Sequence, residues 1–110
     1  MIEWKRVNEL RDEVGAEDFE EVVELFLEEV EEVIDRLRVS PDPASLEGDL
    51  HFLKGSALNL GFKHFSTLCQ IGEAQSAKGE ATSVNLGEIL TSFEQSKSEF
   101  QTAAATHFAA

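Results

Sequence analysis

Residues 46–61 read LEGDLHFLKGSALNLG, and their apolar residues recur at alternating steps of four and three. This spacing is typical of an α-helix that buries one face, because residues three and four apart lie on the same side of a helix. The apolar stripe consists of Leu46, Leu50, Leu53, Ala57 and Leu60. Gly61 directly follows the stripe and predicts the end of the helix, since glycine readily caps a helix C-terminus.

The rest of the chain repeats this helical pattern, and no segment has the alternation of a β-strand. Pro41 and Pro43 interrupt the pattern, because proline disfavours helix in the residue before it, and Ser83 suits the N-cap of a last helix. Helices are predicted over residues 2–14, 17–38, 43–60, 62–78 and 83–104. Four long amphipathic helices with short connections predict an all-α fold, an antiparallel four-helix bundle. We expect a single domain over residues 1–110, with the short N-terminal helix across one end.

The composition excludes several classes of function. The chain has 110 residues, with 22 acidic and nine basic side chains and a net charge of −13, which disfavours nucleic acid as a partner. It contains no apolar run of the ~18 residues that a membrane span needs, and its charged N-terminus does not resemble a secretory signal. Cys69 is the single cysteine and is expected to be an inert core residue in a reducing compartment. A cytoplasmic protein without membrane association is therefore expected.

A mildly basic region, residues 51–79, interrupts this acidity with three lysines, two histidines and one acid. At ~100° per residue, His51 lies about 140° from the centre of the apolar stripe, Gly55 lies almost opposite that stripe, and Lys54 lies on its flank. An imidazole can attack phosphorus, a lysine can offset phosphoryl charge, and a glycine leaves room for a partner. A histidine with no function, simply solvated at the surface, would show the same spacing. The spacing alone therefore leaves open whether His51 is a phosphoryl acceptor or an ordinary surface residue.

The stretch from His51 to Gly61 resembles the signature of histidine-containing phosphotransfer (HPt) domains, H-x-[LF]-K-G-[SA]-[SA]-x-x-[LI]-G. Residues 2–37 are also similar to the usual start of such a domain: a short helix, a glycine turn and a long acidic helix. The resemblance implies a phosphorelay intermediate that accepts a phosphoryl group from a receiver-domain aspartate or a sensor histidine kinase and passes it to another receiver aspartate. It implies that His51 is phosphorylated, on Nε2, that Lys54 stabilises the phosphoryl group and that Gly55 keeps the approach clear.

The resemblance also implies supporting roles. Glu73 is expected to orient the imidazole through Nδ1, and Gly61 to allow a tight junction into the next helix. Ser56 matches a small position of the motif. Leu58 and His64 are expected on the surface that meets the partner.

Three further residues carry expectations of their own. Gly72 departs from the family pattern, which has a larger apolar residue there, and predicts looser packing. His107, in the alanine-rich tail, is not expected to be a second phosphorylation site. Trp4 is expected to pack over the end of the bundle.

The sequence contains no P-loop, glycine-rich nucleotide fingerprint or metal-ligand motif. We therefore expect a carrier rather than an enzyme, with no cofactor of its own and with Mg²⁺ supplied by the partner receiver domain. Three alternatives are a non-catalytic helical adaptor that uses the same surface, the phosphoacceptor hairpin of a histidine kinase, and a metal-binding bundle. The hairpin usually has H-E-[LIF]-R-T-P at its histidine and needs a dimer, whereas this chain has four long helices and is expected to be a monomer.

Overall fold

The computed structural model describes residues 2–107, with side chains for residues 2–104. Its helices are α1 (Trp4–Val14), α2 (Phe19–Val39), α3 (Leu46–Leu60), α4 (Lys63–Ala77) and α5 (Leu86–His107), with a 3-10 turn at Ala81–Ser83. Within residues 2–107 there are five α-helices and no strand, which confirms the all-α prediction. Met1, residues 108–110 and the side chain of His107 lie outside this description, and expectations that include them stay predictions.

Helices α3 and α5 each begin three residues later than predicted, and in both cases a side chain that precedes the helix accepts a hydrogen bond from a backbone N–H group. The Asp42 carboxylate accepts a hydrogen bond from the Ala44 backbone N–H at 3.0 Å, which holds the chain in a turn before α3. The Asn85 side chain accepts a hydrogen bond from the backbone N–H of Glu88 at 3.0 Å. This contact makes Asn85 the N-cap of α5, so the prediction of Ser83 at that position was wrong.

Helix α3 lies at the centre of the packing and contacts α1, α2 and α4. All five residues of its predicted apolar stripe are buried, and Leu50 and Leu53 are 0% exposed. Helix α4 also packs against α5, and α5 against α2, so the four long helices share one hydrophobic core. The register of α3 is thereby set by its buried leucines, and this register determines which of its side chains face solvent.

The junction between α3 and α4 depends on Gly61. Its φ of 74° lies in the left-handed region, where glycine is favoured. A Cβ at this position would lie 2.8 Å from the Glu3 carbonyl oxygen and 2.9 Å from Cγ2 of Val7. The Glu3 backbone N–H in turn donates to the Gly61 carbonyl at 2.7 Å, which ties the start of α1 to the junction. The predicted tight junction at Gly61 is therefore what the structure contains.

The packing around Gly72 is close, contrary to the expectation that this glycine loosens it. A Cβ on Gly72 would lie 2.8 Å from Cδ1 of Leu50, 3.1 Å from Cγ1 of Val84 and 3.4 Å from Cδ1 of Ile89. Larger side chains from α3, α5 and the segment before α5 therefore fill the space that a bulkier residue would take. The expectation failed because the sequence of one helix does not reveal how far its neighbours reach.

Trp4 closes one end of the bundle, as expected from its place in the N-terminal helix. Its ring stacks on Phe100 with centroids 5.8 Å apart and planes inclined by 14°. Phe100 also contacts Phe62, again with centroids 5.8 Å apart. The stacked rings fix α1 against the last helix and against the α3–α4 junction.

The exposed side chains of α2, and those of α5 up to residue 104, are mostly polar, although Leu25 and Val39 of α2 are exposed too. Most of the acidic side chains of α2 face solvent, and Glu31 of α2 pairs with Lys97 of α5. Across residues 2–107, none of the helices combines the length and the apolar composition that crossing a membrane requires.

Candidate functional site

His51 lies on the outward side of α3, and its side chain is 70% exposed. Nδ1 of its ring is 2.9 Å from Oε2 of Glu73, which projects from α4. The pair forms because α3 and α4 pack closely along their length, with the leucine stripe of α3 directed inward. The ring is thus held at one nitrogen, while Nε2 has no hydrogen-bond partner among the described residues.

Glu73 contacts Lys54 as well as His51, because its second carboxylate oxygen is 2.7 Å from Nζ of Lys54. The Lys54 ammonium holds the pKa of the Glu73 carboxyl below its usual value. The contact with His51 also lowers this pKa, whereas partial burial raises it. The carboxylate is therefore ionised at neutral pH. The contact between Lys54 and Glu73 was missed in the sequence, where Lys54 appeared to be free for a phosphoryl group.

The charge of Glu73 determines which form of the imidazole is present. An ionised carboxylate only accepts hydrogen bonds, so the Nδ1 atom of His51 must carry the hydrogen of their contact. In neutral imidazole the other nitrogen then has the free electron pair. The contact thus leaves Nε2 of His51 as the ring nitrogen with a free electron pair, and the ring is exposed.

The backbone around His51 is bare on both sides. A Cβ built on Gly55, four residues after the histidine, meets nothing within 4 Å, and the same holds for Gly48, three residues before it. Packing within the protein therefore explains neither glycine. Gly48 was overlooked in the sequence, although its distance of seven residues from Gly55 places both on one side of the helix.

In a comparison with protein families, the model of the Hpt domain matches residues 21–99, well over half of the chain. The chain belongs to the Hpt-domain family. The matched residues include α3, α4 and all of the side chains that surround the imidazole. No curated protein and no solved structure showed a significant match. Hpt domains act as phosphocarriers in two-component signalling, where they interact with receiver domains and kinases.

Of the two residues predicted on the partner surface of this Hpt domain, only Leu58 lies on the same side as His51. Leu58 is 55% exposed and follows His51 by seven residues, or about two helical turns. His64 is exposed too, but it precedes Glu73 by nine residues, which places it about 180° around α4. Lys63, about 80° from Glu73, lies nearer the side that carries the histidine.

Residues beneath the Hpt motif are packed against α4. Ser56 is 8% exposed and faces inward. The hydroxyl of Ser66 donates to the Lys54 carbonyl at 3.4 Å. Cys69 is fully buried, and this burial raises the pKa of its thiol to about 12. These residues hold α3 and α4 together below the exposed imidazole and do not contact it.

Proposed function

We propose that this Hpt domain is a phosphorelay intermediate that carries a phosphoryl group on Nε2 of His51. The group would come from a receiver-domain aspartate or a sensor histidine kinase, and it would pass to another receiver aspartate. The observation that carries the proposal is the exposed imidazole whose Nδ1 is held by the ionised Glu73. Such a ring presents one nucleophilic nitrogen to a second protein and cannot turn that nitrogen away without losing the contact.

The transfer balances without a further reactant. The electron pair on Nε2 attacks the phosphorus of the donor's aspartyl phosphate, the new P–N bond forms, and the P–O bond to the aspartate breaks. The donor aspartate leaves as a carboxylate, and the ring becomes a phosphoimidazolium that still carries hydrogen on Nδ1. Glu73 stabilises the positive charge that develops on the ring, since its carboxylate lies 2.9 Å from that nitrogen. The second transfer, to the acceptor, is the reverse sequence.

Lys54 would change partners during this reaction. In the unphosphorylated protein its ammonium pairs with Glu73, 2.7 Å away, so the charge of neither group is isolated. A phosphoryl group on His51 brings two negative charges close to the same ammonium. We infer that Lys54 then contacts the phosphoryl oxygens, while Glu73 keeps its contact with the ring. Mg²⁺, which transfer to an aspartate requires, would be held by the receiver.

The direct test is to mix the protein with a phosphorylated receiver domain and Mg²⁺ and to compare the wild type with His51→Gln. We expect label on the wild type that is lost in acid, as a P–N bond is, and none on the variant. His64→Gln is the matched control, because it removes another exposed histidine from the same region, and it should be labelled like the wild type. Label that persists on His51→Gln would place the phosphorylation site elsewhere, and an unlabelled wild type would favour a non-catalytic adaptor.

We further propose that the helices form a single antiparallel four-helix domain that acts as a monomer in the cytoplasm. The contacts of α3 with α2 and α4, and of α5 with α4 and α2, support this arrangement. The single shared core supports the monomer, because no second chain is needed to cover it. Sedimentation equilibrium should give the mass of one chain, 12.2 kDa, and a mass twice as large would contradict this part of the proposal.

A further inference from the structure

A cleft of about 300 Å³ lies where the start of α1 meets the α3–α4 junction. Two exposed lysines, Lys5 from α1 and Lys63 from α4, line it together with Leu58 and Asn59 of α3. Glu3, Arg6 and Glu9 complete its charged lining. The cleft therefore has three basic and two acidic side chains beside an exposed leucine, in a protein whose acids outnumber its bases 22 to nine.

The two lysines of this cleft have no acidic partner, whereas most basic side chains of the protein do. Arg6, for example, binds Glu9 and Glu13. Among the side chains of residues 2–104, Lys5, Lys63 and Lys78 make no ion pair. Two of these three lysines thus lie at one cleft, where their charges are available to a second molecule.

The cleft is built into the fold and does not need to be ordered by a ligand. The Glu3 backbone N–H donates to the Gly61 carbonyl at 2.7 Å, and Nη2 of Arg6 donates to the Asn59 side chain at 3.1 Å. Both contacts join α1 to the end of α3. A preformed surface loses little entropy on binding, so weak charge contacts made there can contribute to association.

The cleft also lies within reach of a protein centred on His51. Leu58 lines the cleft and lies on the same side of α3 as His51, about 10 Å along the helix axis. A standard interface buries about 800 Å² of each partner, which corresponds to a disc of about 16 Å radius. A receiver domain docked on the imidazole would therefore cover Leu58 and the edge of the cleft.

We propose that Lys5 and Lys63 bind acidic side chains on the surface of the partner receiver domain, outside its phosphorylation pocket. The inference rests on the proposed function, since it takes the receiver as the partner of His51. Charge complementarity selects this occupant: an acidic protein is repelled by most of the surface of a chain of net charge −13 and attracted to its unpaired lysines. The lysines thus orient the receiver, with Leu58 as the apolar contact between them and the imidazole.

The test measures kcat/KM for transfer from a phosphorylated receiver to three variants matched in charge, Lys5→Glu, Lys63→Glu and Lys78→Glu. Each changes the net charge from −13 to −15. Lys78 caps the far end of α4, and its position five residues after Glu73 turns it about 140° away from that residue. We expect Lys5→Glu and Lys63→Glu to lower kcat/KM about fivefold at low ionic strength and Lys78→Glu to change it less than about twofold. High salt should reduce the difference.

Each result either supports or overturns the inference. Equal losses for Lys63→Glu and Lys78→Glu would show an effect of net charge alone, and no loss for either cleft variant would leave the cleft without a role. Labelling of His51 by phosphoramidate, a small donor that needs no docking, should be the same in all variants, and a loss there would place the defect at the imidazole. If the wild type itself is not labelled by the receiver, the proposed function fails, which is a separate outcome.

Discussion

The two faces of α3 differ in what their residues contribute to the protein. Leu50 is 0% exposed and packs in the core, whereas the next residue, His51, has 70% of its side chain in solvent. The inward face is filled by leucines, and the outward face has glycine before and after the histidine. At Gly48 and Gly55 an added Cβ would meet nothing, and alanine would favour the helix by about 1 kcal/mol at each. Helix α3 is therefore stabilised through its buried face, and its exposed face lacks the stabilisation that alanine would add at these two positions.

The largest effect is expected from truncation on the inward face. Leu53→Ala should lower the free energy of unfolding by about 2–5 kcal/mol, because it opens a cavity at a fully buried position. Phe52→Ala is the matched control, since Phe52 is the preceding residue and is 38% exposed; it should cost about 1 kcal/mol or less. Urea denaturation of both variants measures the difference. Equal losses would mean that the two faces are not distinct in stability.

Smaller effects on stability are expected at two glycines of the motif, and the two effects should differ in sign. Gly61→Ala should destabilise the protein by about 1–3 kcal/mol, because its φ is positive and its Cβ would approach the Glu3 carbonyl. Gly55→Ala should instead stabilise it by about 0.5–1 kcal/mol, yet slow transfer from a receiver roughly tenfold by keeping the partner away from His51. Thermal unfolding and transfer rates check both. Unchanged transfer in Gly55→Ala would mean that the bare backbone does not serve the approach of the partner.

The smallest effect concerns the pH dependence of stability. Because the pKa of Glu73 is lower in the folded protein than in the unfolded chain, its ionisation stabilises the fold at neutral pH, and this contribution is lost as the pH falls through the folded pKa. Below about pH 4 the wild type should therefore lose more stability than Glu73→Gln, by up to about 1 kcal/mol. Denaturation at pH 3 and pH 7 measures this. Parallel losses in the two proteins would show that the contacts of Glu73 with Lys54 and His51 do not favour its ionised form.

The sequence was sufficient for features that depend on one helix. The spacing of the leucines predicted which side of α3 is buried, and the same angles predicted an exposed His51 and an open Gly55. These predictions held because a regular helix relates sequence position to direction in a fixed way. Glu73 reached Nδ1 of His51 as the family resemblance implied.

Features that depend on two helices were predicted less well. The pairing of Lys54 with Glu73, the close packing at Gly72 and the position of His64 all depend on the register of α4 against its neighbours. That register follows from how whole side chains interlock, which the spacing within a single helix does not contain. The cleft between Lys5 and Lys63 is a similar case, because its walls are more than fifty residues apart in the chain.

The buried position of Cys69 has a consequence for chemistry in the cell. It is the only cysteine in the chain, it is 0% exposed, and its thiol has a pKa of about 12. Oxidants and electrophiles react with exposed thiolates, so the folded protein behaves toward them as if it contained no sulfhydryl group. An alkylating reagent would modify Cys69 only when the bundle opens. The rate of alkylation would therefore measure how often the bundle opens.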